Sequence, residues 1–297
     1  MLEKIIGALI TGLAQGSMVA LVALGYTMVY GILKLINFAH SEVFMMGAFA
    51  GLFLIAGLGG TSSPIVAGVA GTLGAMMLAG ALGVVVEKVA YAPLRARSKN
   101  AKDAASRIAP LVTAIGMSVL LQNLAQLLFT ARFRGYPQIL PIESTRVVIV
   151  GASLTTMVGL ELLVQRTWFG KSMRALSVNV EAARLMGIRT GRVISLTFVT
   201  GSMLAALGAV LYCLDQSQAY PTMGFVIGTR AFVAAVIGGI GSIPGAMLGG
   251  LLLGILGELI KLTPYSGLQD VFVFIILIAV LLVKPTGLLG KKGIEKV

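Results

Sequence analysis

The chain has few residues that could carry chemistry. Only 11% of its 297 residues are charged, and it holds one histidine and one cysteine. A single cysteine excludes a disulfide scaffold and a cysteine-rich metal site, and a single histidine leaves no paired-histidine zinc motif. Gly170-Lys171-Ser172 resembles the end of a phosphate-binding loop, but Gln165 stands where the first glycine of that loop is required. We therefore expect no metal and no cofactor in this chain, and if ATP drives the protein, the ATPase is another chain.

Apolar sequence is abundant instead. Apolar residues make up 57% of the chain and its mean hydropathy is +0.97, whereas about a quarter of the residues of a soluble domain are charged. Five uncharged runs reach or exceed the roughly 20 residues that cross a bilayer as a helix. They are residues 5–33, 43–86, 108–131, 193–214 and 231–257. These runs are too long and too numerous for a signal peptide, so the sequence predicts an all-α, polytopic transmembrane helix bundle whose first run is an uncleaved span.

The net charge of +12 is concentrated in three places. Sixteen of the 23 basic residues are Lys88, Arg95, Arg97, Lys99, Lys102 and Arg107, then Arg166, Lys171, Arg174, Arg184, Arg189 and Arg192, and finally Lys284, Lys291, Lys292 and Lys296. Lysine and arginine concentrate in cytoplasmic loops of membrane proteins. This placement therefore indicates three cytoplasmic segments rather than a nucleic-acid surface.

The order of these segments predicts nine spans, with eight or ten as alternatives, in one transmembrane domain covering residues 1–297. Residues 59–64, which are glycine, threonine, serine and proline, divide the run 43–86 into two spans. Residues 34–42 form a polar interruption before that run. Three crossings are therefore expected ahead of the first basic segment.

Parity constrains the second half of the chain. If Arg192 and Lys284 are both cytoplasmic, an even number of crossings lies between them. Residues 216–257 should then form two short or discontinuous helices, which are typical of the substrate path of transporters. The expected breaks are at Arg230, Gly238-Gly239 and Pro244.

Glycine is frequent, with 38 residues, and several recur at four-residue spacing. Small residues one turn apart allow transmembrane helices to approach closely, so we expect tight helix packing at these positions. The repeats are Gly12/Gly16, Gly47/Gly51, Gly241/Gly245/Gly249 and Gly250/Gly254.

The loop at about 166–192 carries the signal of a short helix. Asn179 is a good N-cap, Glu181 lies near the positive end of the helix dipole, and Gly187 suits the left-handed C′ position. About two turns of helix do not persist alone in water, so this segment either docks on a partner or is an ordinary solvated loop helix. Small side chains would permit close docking and charged ones could pair with the partner. The candidate docking residues are Asn179, Glu181, Ala182, Ala183, Arg184 and Gly187.

Two polar stretches inside apolar sequence are candidates for a substrate path. His40 and Glu42 either relay protons or contact substrate, or they form interfacial hydrogen bonds that join helix segments, the interpretation we favour. Asn37 either satisfies exposed backbone or contacts an ammonium or carboxylate group. Arg230 either neutralises a carboxylate substrate or extends to the outer interface. The candidate path residues are Asn37, His40, Glu42, Arg230, Gly239 and Gly241.

Four ordered segments resemble the LivH-like permeases of branched-chain amino acid ABC importers, which are binding-protein-dependent inner-membrane components. The similarity runs from about residue 5 to about residue 290, and the segments are residues 25–40, 179–188, 231–246 and 284–288. The second contains Glu181-Ala182-Ala183 and Gly187, the pattern of a coupling segment. The later proline of the general importer pattern is missing, as in this branch of permeases.

The resemblance implies a multi-pass subunit of the bacterial cytoplasmic (inner) membrane that is not itself an enzyme. It would pair with a second, homologous permease as a heterodimer and bind two cytoplasmic ABC ATPases, which use ATP and Mg. A periplasmic or surface-anchored binding protein would deliver the cargo, a branched-chain amino acid or a related small amino acid or amide. Residues 179–188 would be the coupling helix, seated in a groove of the ATPase.

The residues themselves leave other classes open. An ion-coupled secondary transporter or channel would use His40 and Glu42 to couple protons to a solute without ATP. A polytopic membrane enzyme is disfavoured, because the chain has few polar residues that could converge on one site.

Overall fold

The structure is a computed structural model that describes residues 2–60, 62–97 and 104–290. Its α-helices are α1 (Leu2–Leu33), α2 (Ala39–Leu58), α3 (Pro64–Val86), α4 (Ala92–Arg97), α5 (Ala104–Phe129), α6 (Ile142–Arg166), α7 (Trp168–Val178), α8 (Val180–Leu185), α9 (Thr190–Gln216), α10 (Met223–Gly238), α11 (Ile243–Lys261) and α12 (Gln269–Val283). A π-helical turn, Glu87–Tyr91, joins α3 to α4, and a 3-10 turn, Ser266–Leu268, precedes α12.

Of the basic residues that predict cytoplasmic segments, five lie outside the described ranges: Lys99, Lys102, Lys291, Lys292 and Lys296.

The helix bundle confirms the predicted fold class. Within the described ranges, eight helices are long and apolar enough to cross a membrane, and α10 is a shorter apolar helix. Together they make the nine apolar segments that the sequence predicts. The polar interruption is shorter than predicted, because α1 ends at Leu33 and α2 already begins at Ala39. His40 and Glu42 therefore belong to the first turn of α2.

The direction of the helices agrees with the parity argument. A Cβ added to Gly201 of α9 would lie 3.4 Å from Gly25 Cα, and one added to Gly208 would lie 3.3 Å from Met18 O, so α9 runs antiparallel to α1. α9 begins beside α8 on the side that carries Arg184 and Arg189, which we call the basic side.

The chain then returns to the basic side, leaves it and returns again. α10 brings it back, and α11 runs antiparallel to α1, with Gly16 against Leu251. α12 ends beside the C-terminal end of α10, where the Leu288 N–H donates to the Ile237 carbonyl at 2.8 Å. Lys284 thus lies on the same side as the start of α9, as an even number of membrane crossings requires.

One predicted break is wrong. α10 is continuous from Met223 to Gly238, so Arg230 lies in the middle of a regular helix. The breaks fall at residues 217–222 and 239–242. Gly239 adopts φ +107, which favours glycine, and Pro244 lies in the first turn of α11, where its missing N–H costs no helical hydrogen bond.

Glycines allow α1 and α11 to pack backbone against backbone, as the four-residue spacing predicts. A Cβ added to Gly12 would lie 2.8 Å from Ile255 Cα, and one added to Gly16 would lie 2.9 Å from Leu251 Cα. Gly241 differs from this pattern, because it lies in the turn before α11 at φ +93 and no atom lies within 4 Å of its added Cβ.

The outward faces of α5, α6 and α12 are apolar. Leu127, Val147 and Leu282 are each at least 72% exposed, and α12 has one buried residue, Val273. Such continuous apolar surface is unfavourable in water and suits lipid or another membrane subunit. The protein is therefore a multi-pass membrane protein.

Candidate substrate path and coupling helix

A cavity of about 380 Å³ lies between α1, α2, α5 and α10. Its apolar walls are Tyr26, Phe38, Ile115, Val119, Phe225 and Phe232, and its polar side chains are Ser41, Glu42, Ser118, Gln122 and Thr229. Ile115, Val119 and Phe225 are exposed. The cavity therefore opens to the lateral surface of the subunit, between α5 and α10.

The break between α1 and α2 places polar groups in this cavity. Lys34 has a left-handed backbone, φ 54, at the point where α1 stops, and the chain restarts as a helix at Ala39. Asn37 closes this break, because its backbone oxygen accepts from the His40 N–H at 3.1 Å. Its side-chain Oδ1 accepts from the Tyr91 hydroxyl at 2.9 Å. Both hydrogen bonds of Asn37 are thus made within the protein, to the backbone of α2 and to Tyr91.

Glu42 is the acidic residue of the cavity. It is 1% exposed. Its Oε1 accepts from the hydroxyls of Ser118 at 3.3 Å and Ser41 at 3.5 Å. Its Oε2 has no hydrogen-bond partner among the described residues. The first turn of α10 lies directly against it, since a Cβ added to Gly224 would be 2.9 Å from Oε2.

His40 points elsewhere. Its ring packs edge-on against Tyr26, with centroids 4.9 Å apart, and fills the space beside Gly25. Residues two apart on a helix do not share a face, and no described hydrogen bond links His40 to Glu42. Direct proton transfer between these two side chains therefore has no support in this geometry.

The other predicted path residues lie away from the cavity. The Arg230 guanidinium binds Asp270 at the start of α12, with Nη2 2.7 Å and Nε 2.8 Å from Oδ1. Gly239 and Gly241 form the turn between α10 and α11. Here the backbone of Gly287 passes so close to Gly239 that a Cβ on Gly287 would be 2.5 Å from Gly239 Cα.

The predicted caps of the loop helix are present. Asn179 Oδ1 accepts from the N–H groups of Glu181 at 2.9 Å and Ala182 at 3.0 Å. Gly187 has φ +82, its N–H donates to the Arg184 carbonyl, and the Ile188 N–H donates to the Ala183 carbonyl. These two bonds form a Schellman motif. α8 is thus closed at both ends by its own sequence.

Of the small residues that the sequence offers for docking, Ala182 and Gly187 are exposed and Ala183 is buried. Ala183 is 4% exposed and packs inward, so it cannot contact a partner. Leu185 and Met186 are instead 88% and 82% exposed, beside exposed Glu181 and Arg184. Ala182 is exposed as expected. α8 is only six residues long, and Ala183 is its one buried residue.

Sequence reasoning missed the contribution of α5 and α10 to the cavity. Ser118 and Gln122 are one turn apart in an uncharged run, and a polar pair at that spacing was a usable signal. Thr229 and Phe232 gave no such signal. Gly170 and Lys171 lie inside α7 and not in a loop, which agrees with the rejection of a phosphate-binding loop.

A bundle of apolar helices around a partly polar cavity is typical of membrane permeases. The chain belongs to the family described as the permease component of the branched-chain amino acid transport system, whose model matches residues 8–281. It is 40% identical to the high-affinity branched-chain amino acid transport system permease protein BraD of Pseudomonas aeruginosa, with 97% of each chain covered. It is 41% identical to LivH of Escherichia coli K12, with 96% of each covered. PsaBC from Streptococcus pneumoniae is structurally similar at TM-score 0.48 and 15% identity, over 96% of this chain and 97% of that one.

Proposed function

We propose that this chain is a permease subunit of an ATP-driven importer for branched-chain amino acids in the bacterial cytoplasmic membrane. It lines the translocation path together with a second, homologous permease and takes its energy from separate ATPase subunits. The observation that carries this proposal is α8, which is capped at both ends and exposes Leu185 and Met186 on the basic side. Two large apolar side chains exposed together on a charged surface favour a protein partner.

The geometry of α8 supports a coupling role. Because Asn179 and Gly187 fix the helix before a partner binds, little conformational entropy is lost on docking. Glu181 and Arg184 are exposed next to the apolar pair and are available for charge pairing. ATP and Mg would bind in the partner ATPases, to which this chain presents the docking helix.

The cavity supports the path and the need for a second permease. Its open side is lined by exposed apolar residues of α5 and α10, so a homologous subunit packed there would close it and complete the path. Glu42 lies on this path, with Asn37 and His40 supporting the break beside it. A binding protein would deliver the cargo to the side opposite α8.

The walls of the cavity suit a small aliphatic amino acid. A volume of about 380 Å³ falls within the range of small-molecule sites, and the walls are mainly aromatic and aliphatic. The relatives BraD and LivH are named as branched-chain amino acid permeases, which supports leucine, isoleucine and valine as cargo.

The docking role is tested by replacing both exposed apolar residues, as Leu185→Glu with Met186→Glu. We expect this variant to enter the membrane normally, to lose the ATPase subunits during purification, and to lose ATP-dependent leucine uptake. Leu2→Glu is the control, because Leu2 is 73% exposed at the far end of α1. Normal ATPase association in the double variant would overturn the proposal.

A further inference from the structure

The cavity holds an acidic group whose bonding is incomplete. Glu42 is 1% exposed, and its Oε2 has no partner among the described residues. The two hydroxyls on Oε1, at 3.3 and 3.5 Å, are too distant to replace the hydration of an ionised carboxylate. An unpaired buried carboxylate is costly in an apolar surrounding. A cation of suitable size would complete its bonding.

The surroundings favour an organic cation over a metal ion. Within the described residues, no three His, Cys, Asp or Glu side chains come together in a metal-binding group. Tyr26, Phe38 and Phe232 present aromatic rings to the same cavity, and aromatic faces attract ammonium groups. Ile115 and Val119 supply an aliphatic wall.

The chain itself supplies no cation to the cavity. No described lysine or arginine lines it, and the guanidinium of Arg230, elsewhere on α10, is engaged by Asp270. The first two turns of α10, through Phe225 and Gly228, also border the cavity.

We propose that Glu42 is the residue that recognises the ammonium group of the transported amino acid, while the aromatic and aliphatic walls hold its side chain. This inference rests on the proposed importer function and adds the site of cargo recognition inside the permease. It assigns recognition of the amino group of the cargo to this chain, in addition to the selectivity of the binding protein.

The first test uses Glu42→Gln in the assembled transporter. Leucine uptake should fall about tenfold or more, as for the loss of one charged hydrogen bond, while ATP hydrolysis stimulated by the loaded binding protein stays within about twofold of wild type. This split separates cargo recognition from misfolding, which would lower both. Glu258→Gln is the control, since Glu258 is a buried glutamate of α11 paired with Lys261, away from the cavity. Unchanged uptake by Glu42→Gln would overturn the proposal.

The second test needs no substitution of Glu42. In the assembled transporter, Ser118→Cys places a thiol next to the carboxylate. The native Cys213 is buried, and the wild-type transporter treated in the same way gives the background rate. A cationic aminoethyl methanethiosulfonate should modify Cys at 118 about tenfold faster than an anionic sulfonatoethyl reagent, each rate being taken relative to a free thiol. Equal relative rates would overturn the proposal. Failure of wild-type transporter to import leucine with ATP would instead refute the importer function, so the two failures are distinguishable.

Discussion

The N–H of Leu288 donates to the carbonyl of Ile237 at 2.8 Å, and Leu289 repeats this contact with Gly238 at 2.9 Å. The segment that follows α12 therefore satisfies the last carbonyls of α10, which would otherwise be unpaired at a helix end. Gly287, at φ +76, makes the close backbone approach to Gly239 possible. Two sequence segments that are far apart in the chain thus form one structural unit.

Gly287→Val should separate the segment after α12 from the C-terminal end of α10. Valine disfavours a positive φ by about 1–2 kcal/mol, and its Cβ would overlap the Gly239 backbone. We expect a lower unfolding temperature in detergent, measured with a thiol-reactive dye that reports exposure of the buried Cys213. Gly267→Val is the matched control, because an added Cβ there has no neighbour within 4 Å. Equal unfolding temperatures for the two variants would show that the contact contributes nothing.

Gly16→Leu should separate α1 from α11. The added side chain would start 2.9 Å from Leu251 Cα, and overpacking of this kind costs about 1–3 kcal/mol. Gly7→Leu lies on the same helix with nothing within 4 Å of its Cβ, so it should unfold at the wild-type temperature in the same dye assay. Equal stability of the two leucine variants would contradict close packing of α1 on α11 at Gly16.

Tyr91→Phe should destabilise the segment that connects α1 and α2. It leaves the buried Asn37 Oδ1 without its donor, at a cost of about 1–3 kcal/mol. Tyr265→Phe removes a hydroxyl from a residue that is 61% exposed and should have no effect. The comparison is again by unfolding temperature, and wild-type stability of Tyr91→Phe would contradict a structural role for Asn37.

Asn179→Ala should loosen α8 without removing its contact surface. Loss of an N-cap costs about 0.5–2 kcal/mol, and a frayed helix must be reordered on docking. The permease should therefore bind its ATPase about two- to tenfold more weakly, measured by titration of labelled ATPase. Ser177→Ala removes a hydrogen bond within α7 and leaves the caps of α8 intact, so it should bind normally. An unaltered affinity for Asn179→Ala would argue against a preformed docking helix.

The sequence predicts most of the helical bundle because membrane spans depend on length and apolarity, which are local properties. The caps of α8 are local as well, since Asn179 and Gly187 act within one turn of their own positions. The positions at which helices end are predicted less well. Arg230 does not interrupt α10, because a guanidinium within reach of Asp270 is tolerated inside a continuous helix.

The cavity could be predicted only in part. Glu42 and its neighbours stand out as polar residues in apolar sequence, but their grouping with Ser118 depends on how α5 packs against α2. The inward orientation of Ala183 likewise depends on contacts of α8 with its own subunit. The first is a relationship between distant parts of the chain, and the second is the packing of α8 on its neighbours α7 and α9. Spacing along the sequence encodes neither.

The source of energy is the central claim, and leucine accumulation in proteoliposomes tests it most directly. Vesicles that contain both permeases, the ATPases and the binding protein should concentrate leucine when ATP reaches the ATPases. Vesicles with the two permeases alone should not do so under a proton or sodium gradient. Accumulation against a gradient in the vesicles without ATPase would contradict the account.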